Sequence, residues 1–180
     1  MRVALIIGHD PADEGAARCT DGVQEYSWNR DLANRIHDLD PEMFEIFHIR
    51  PDLGYSASIR EVYGRVDDWG CDLSLELHFN SFGSPTATGT GTFSSGSAGS
   101  LHFARAIHPA MVQALGLRDR GIKIRNASKK GRGYKSLIFG RAPALLLEPY
   151  FGSNPNDCRR ADECKQALAE AIYQAVRSAA

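Results

Sequence analysis

No long apolar run occurs in these 180 residues. The N-terminal stretch from Val3 to Ile7 is about five residues long, too short for a signal-peptide core or a bilayer span. Neither an exported leader nor membrane insertion is expected from it. Cysteine is sparse: Cys19, Cys71, Cys158 and Cys164 include no CxxC pair, which argues against a zinc ribbon or a disulfide scaffold. Without a leader the thiols are expected to stay reduced and to serve as packing residues. Excess charge is also missing, because 21 Lys and Arg oppose 22 Asp and Glu for a net −1. The glycines of "GTGTFSSGSAG" fit neither a dinucleotide-binding GxGxxG nor a nucleophile-elbow GxSxG. No repeat is visible, and the length fits one domain spanning 1–180, with no separate second domain expected.

What is present reads as an ordinary globular chain, 43% hydrophobic and 24% charged. Val3 to Ile7 should form a strand closed by Gly8 and His9. Asp21 looks like a helix N-cap with Gln24 as its capping-box partner, starting a helix that runs to about Leu39, before Pro41. A strand over Phe44 to Ile49 follows. Ile59, Val62, Tyr63 and Val66 fall at helical spacing, so Ser58 to Trp69 should be a second helix leading into a strand over Asp72 to Leu77. A glycine-flanked strand around Thr88 to Ser94 precedes a third amphipathic helix holding Leu101, Ala104, His108, Met111 and Leu115. The apolar run Ala144 to Leu147 stops at Glu148 and Pro149. One last helix should place Ala161, Cys164, Leu168 and Ile172 on a single stripe. This alternation predicts one α/β domain with a mostly parallel or mixed twisted sheet of about six strands, flanked by helices on both faces.

Three runs end alike: "VALIIGH" at His9, "LSLELH" at His78 and "ALLLE" at Glu148. Parallel strands would bring these polar residues to the edge where open α/β sheets form their sites. One such histidine is usually a structural hydrogen-bonding residue, but three matching endings weaken that explanation. Glu25 joins them from the first helix. With Trp28, Leu32 and Ile36 at i+3, i+7 and i+11, it lies on the stripe facing the sheet, where an unpaired carboxylate is costly. A surface role complementing the helix dipole is the plainer alternative. Two histidines and a glutamate form a known set of catalytic zinc ligands. The remaining glutamate can then take a proton from the attacking water and return it to a departing amine. The chemistry alone does not say which glutamate has which role.

Four segments, "IIGHD", "QEYSWNRDLA", "LELHFNS" and "LLLEPYFGSNPND", resemble in kind and order the signature segments of zinc-dependent N-acetylmuramoyl-L-alanine amidases, found in phage endolysins and bacterial cell-wall hydrolases. The resemblance runs from about residue 3 to 157. It implies that His9, Glu25 and His78 hold Zn²⁺ and that Glu148 is catalytic. It also implies cleavage of the amide between the lactyl group of N-acetylmuramic acid and L-alanine in peptidoglycan. The loop "GHDPAD" departs from the family, where glycines often follow the histidine. Asn80 and Ser81 are expected to position substrate; Glu76, on the strand face of His78, either orients that imidazole or makes an unrelated salt bridge.

Between Leu117 and Lys135, Arg118, Arg120, Lys123, Arg125, Lys129, Lys130, Arg132 and Lys135 oppose the lone acid Asp119. A solvated loop is the simplest reading, and a patch for anionic wall, with Lys123 and Arg125 meeting stem-peptide carboxylates, is the sharper one. Only Tyr134 is interleaved for stacking, so nucleic acid is not expected as a partner, and no obligate protein partner is inferred. The chain looks like a compact phage or prophage lysin that accumulates in the cytoplasm until the membrane opens. Two alternatives remain: a zinc carboxypeptidase or deacylase using the same ligands, and a wall-binding module without catalysis.

Overall fold

A computed structural model describes all residues 1–180. Six strands, β1 (Val3–Ile7), β2 (Phe44–His48), β3 (Leu73–Leu77), β4 (Thr90–Ser94), β5 (Asp119–Ile124) and β6 (Ala144–Glu148), form one sheet in the order β2-β1-β3-β6-β4-β5. The sheet is mixed: β2, β1, β3 and β6 run parallel, β4 is antiparallel to β6, and β5 pairs parallel with β4. Strands β1 and β3 are buried along their whole length; β1 therefore reads as a continuous apolar run, whereas β3 alternates leucine with the buried polar residues Ser74 and Glu76. Strand β5 was not distinguished within the basic stretch. All six of its residues are partly or fully exposed, so it lacks the apolar alternation that marks a half-buried strand.

Five helices cover the two faces: α1 (Glu25–His37), α2 (Tyr55–Trp69), α3 (Ala98–Leu115), α4 (Pro155–Glu163) and α5 (Lys165–Ala179). The apolar stripes of α1, α3 and α5, among them Leu32, Ile36, Ala104, Met111, Leu168 and Ile172, share one core with Val3, Leu5, Ile7, Leu73, Leu75 and Leu147. On the other face α2 packs Ile59, Val62, Tyr63 and Val66 with Ala4 and Ile6. Each fully buried Leu or Ile contributes roughly 1.5–3 kcal/mol of transfer free energy. Strand residues of alternating parity therefore belong to different cores, and Ser74, Glu76 and His78 share the α2 side with Ala4 and Ile6.

Three local expectations are corrected. Helix α1 starts at Glu25 with Gln24 as N-cap and no side-chain cap; the Asp21 carboxylate instead accepts from the Val23 N–H at 3.1 Å, closing a turn. Ala17 and Gln24 form an isolated antiparallel bridge, which keeps residues 21–24 out of the helix. The single last helix is two helices that meet at Cys164, whose φ of −112° and ψ of 11° leave the α-helical region. Among the cysteines, which are all free, Cys158 is buried but Cys19 is exposed, so the packing role does not hold for Cys19.

Candidate metal centre and its cleft

Because β1, β3 and β6 are adjacent and parallel, the residues that follow or end them emerge together. His9 lies two residues past β1, His78 one past β3, and Glu148 is the last residue of β6. Glu25 is the first residue of α1 and is 4% exposed. One donor atom from each of His9, Glu25 and His78 can be chosen so that all lie within 4.8 Å of one another. Glu25 Oε1 is 2.8 Å from His78 Nδ1 and also accepts from the Phe79 N–H at 3.1 Å, while Oε2 is 3.4 Å from His9 Nε2.

The backbone is bent to make this approach. His9 has a φ of 65°, the only positive value outside glycine, and such left-handed backbone is uncommon for a residue with a side chain. Glycines clear the space around both rings. A Cβ on Gly8 would lie 2.3 Å from His78 Cε1, and one on Gly15, itself at φ +80°, would lie 2.7 Å from the His9 ring. Glycine spacing after the histidine thus differs from the family pattern, but Gly15 still lets the loop fold against His9.

Electrostatics separate the two glutamates. Burial would raise the Glu25 pKa, but hydrogen bonds from His78 and His9 outweigh it and hold the carboxyl at about 2. For His78, burial favours the neutral ring, yet Glu25 and Glu76 push its pKa well above the ordinary value. For Glu148 burial is the largest cause and outweighs the attraction of His78 and Arg132; with repulsion from Glu25 and Glu76 the pKa reaches about 8. Glu148 Oε2 is buried without any hydrogen-bond partner. Such an orphaned acceptor is costly in a folded protein and suits a group that must exchange a proton near neutrality.

All four side chains line one cleft of about 1220 Å³. Asn80 and Ser81 line it too, their backbone tied to the segment after β6 by the Asn80–Phe151 bridge. Arg125 is in the lining, with its guanidinium 5.0 Å from the Phe93 ring. Lys123 is not: its Nζ lies 5.9 Å from the same ring, outside the cleft wall. Glu76 sits below His78, with Oε1 2.8 Å from Nε2. Two exposed aromatics, Tyr55 and Phe82, complete the rim. No periodicity in the sequence marks them, since Tyr55 opens α2 and Phe82 lies in the loop between β3 and β4. Arg132 also lines the cleft, and neither Arg125 nor Arg132 has a carboxylate within 4.0 Å.

A buried carboxylate between two imidazoles, at the carboxyl edge of a parallel sheet, defines a candidate metal centre of the α/β class. The sequence profile of the N-acetylmuramoyl-L-alanine amidase family matches residues 3–178, and the chain belongs to that family. Among curated relatives, N-acetylmuramoyl-L-alanine amidase LytC of Bacillus subtilis (strain 168) is 26% identical over 92% of this chain; the alignment spans 33% of LytC, so this chain corresponds to about a third of it. The catalytic domain of the amidase CwlV from Bacillus (Paenibacillus) polymyxa var. colistinus superposes with a TM-score of 0.81 at 24% identity, covering 99% of this chain and 97% of that one. The catalytic domain of an endolysin targeting Clostridia difficile gives 0.81 at 21% identity, with coverage of 99% and 97%.

Proposed function

We propose that this chain is a zinc-dependent amidase that cleaves the bond between N-acetylmuramic acid and L-alanine in peptidoglycan. The observation that carries this reading is the convergence of His9, Glu25 and His78 on one point, with the unpartnered Oε2 of Glu148 in the same cleft. Two imidazoles and one carboxylate suit Zn²⁺ and leave a position open for water or substrate. The Glu25 carboxyl, held ionised down to about pH 2, and donor atoms of His9, Glu25 and His78 within 4.8 Å of one another fit such an ion. Bound there, Zn²⁺ supplies Lewis acidity toward a carbonyl oxygen and lowers the pKa of water.

The rest falls to the chain's own groups. Glu148 Oε2 takes the proton of the attacking water and hands it to the amine nitrogen as the C–N bond breaks, which turns a poor leaving group into a neutral one. Burial of this carboxyl keeps its proton affinity near neutral pH. Asn80 and Ser81 present polar groups beside His78 for the peptide backbone, and Arg125 offers an unpaired guanidinium for a stem-peptide carboxylate. A role as a phage or prophage lysin, held in the cytoplasm until the membrane opens, is part of the proposal; the fold is shared to the same degree with an endolysin catalytic domain and with CwlV.

Metal analysis of purified protein, paired with mass spectrometry of digested peptidoglycan, tests the reading. About one zinc per chain and stem peptides released with a free L-alanine amino group are expected. Release of terminal D-alanine would carry the carboxypeptidase alternative, and undiminished wall with bound protein would carry the binding module.

A further inference from the structure

Below His78, on the side away from Glu25, a second carboxylate is buried. Glu76 is 2% exposed, and the sheet register places it between Ile6 of β1 and Leu146 of β6. No lysine or arginine lies within ion-pair distance of it. Its two oxygens are divided between two partners: Oε1 is 2.8 Å from His78 Nε2, and Oε2 accepts from the Tyr63 hydroxyl at 3.0 Å. Tyr63 is itself 1% exposed and comes from α2, the helix that covers the opposite face from α1. His78 is therefore held from both sides, with Nδ1 toward Glu25 and Nε2 toward Glu76.

A carboxylate in an apolar wall is costly, and an aliphatic side chain would avoid that cost while leaving the Tyr63 hydroxyl and His78 Nε2 without a partner. What Glu76 does that an aliphatic residue cannot is choose between the ring nitrogens. Neutral imidazole carries one proton, and only the tautomer protonated at Nε2 leaves the Nδ1 lone pair free. With no acceptor at Nε2, the proton can settle on Nδ1 and hydrogen-bond to Glu25, which removes the donor atom from the centre.

We propose that Glu76 and Tyr63 are positioning residues for the metal centre: the Tyr63 hydroxyl anchors Glu76, which accepts the Nε2–H of His78 and so reserves Nδ1 for the ion. This rests on the reading of His9, Glu25 and His78 as a zinc site. The anionic acceptor also makes the imidazole a stronger ligand, as carboxylates behind metal-bound histidines do. The tyrosine adds a geometric constraint, because rotation of the Glu76 carboxyl would break its bond to Tyr63 and its bond to His78 together.

Three variants test the assignment: Glu76→Leu, Glu76→Gln and Tyr63→Phe. Zinc affinity is read by competition with a chromophoric chelator, and the His78 ring by nitrogen NMR with and without zinc. Glu76→Leu is expected to weaken zinc binding about 10- to 100-fold and to lose the slowly exchanging Nε2–H. Glu76→Gln keeps an acceptor but not the charge and should recover part of that loss, while Tyr63→Phe should cost a few-fold and shift the Nε2–H resonance. At saturating zinc, KM should stay at the parent value. Glu76→Gln and Tyr63→Phe that fold with parental zinc affinity and an unchanged Nε2–H signal would overturn the proposal, and this comparison holds even where Glu76→Leu does not fold. A folded parent that takes up no zinc would sink the metal reading and this proposal with it, whereas a parent that binds zinc while the variants keep its affinity and Nε2–H signal would sink this proposal alone.

Discussion

Replacing Glu148 with glutamine should make the metal-free protein more stable by an amount that grows from about pH 5 to about pH 8 and is then constant. The parent carboxyl has its pKa raised from 4.5 to about 8 because its charged form is buried, with Oε2 lacking any partner. Since the folded-state value lies above the unfolded one, the protonated group adds stability that is complete below about pH 4.5 and is lost as the pH climbs to about 8. The gap corresponds to a ceiling of about 5 kcal/mol at 1.36 kcal/mol per pH unit. Glutamine has nearly the same volume and never ionises, so its contribution is flat across that range. Even a third of the ceiling, about 1.5 kcal/mol, moves Tm by roughly 3–6 °C in a chain of this size. His78 also loses stabilising charge as the pH rises past its elevated pKa, which is why the informative quantity is the difference between the two proteins. Thermal unfolding of chelated parent and Glu148→Gln from pH 5 to 9 should give curves that lie close together at the acid end, draw apart steadily up to about pH 8 and keep a constant offset above it. Curves with the same offset at pH 5 and at pH 8 would refute the claim that the Glu148 carboxyl loses stabilisation on ionising in the fold.

The same variant bears on catalysis. Glu148→Gln should retain zinc while kcat falls about 100-fold or more, because the amide cannot accept the proton; a variant that loses zinc would reassign Glu148 as a ligand. Glu25→Ala removes the carboxylate between the two imidazoles, and metal content and activity should disappear together in atomic absorption and wall-lysis assays. Gly8→Ala would drive a Cβ to 2.3 Å from His78, so the ring must move; zinc affinity should fall at least tenfold, and a variant with parental affinity would show that the approach is not required. Neutralising Arg125 and Arg132 together, both unpaired in the cleft, should weaken wall binding most at low ionic strength. Equal binding across salt concentrations would return them to a solvent-facing role.

Much of the site was visible in the linear chain because its members end apolar runs. A strand buried on both faces is mostly apolar, so His9 and Glu148 stand out after "VALII" and "ALLL", His78 follows the alternating "LSLEL", and parallel pairing of β1, β3 and β6 carries all three to one edge. Glu25 was legible for the same reason, as a charge on an apolar helical stripe. Strand β5 and the break at Cys164 escaped notice because one lacks buried residues and the other is a single backbone conformation inside a helical pattern. The role of Tyr63 was hidden differently: its spacing marks it as a core residue of α2, and nothing local tells that its hydroxyl meets Glu76 across the layer. Nor could the chain order separate the two glutamates, since both are carboxylates near histidines. Their difference arises from neighbours distant in sequence, which surround Glu25 with hydrogen-bond donors and leave Glu148 buried with none at Oε2. Local patterns report which face an element buries, whereas proton affinity depends on everything packed within a few ångströms, and that is assembled only when the sheet and helices close.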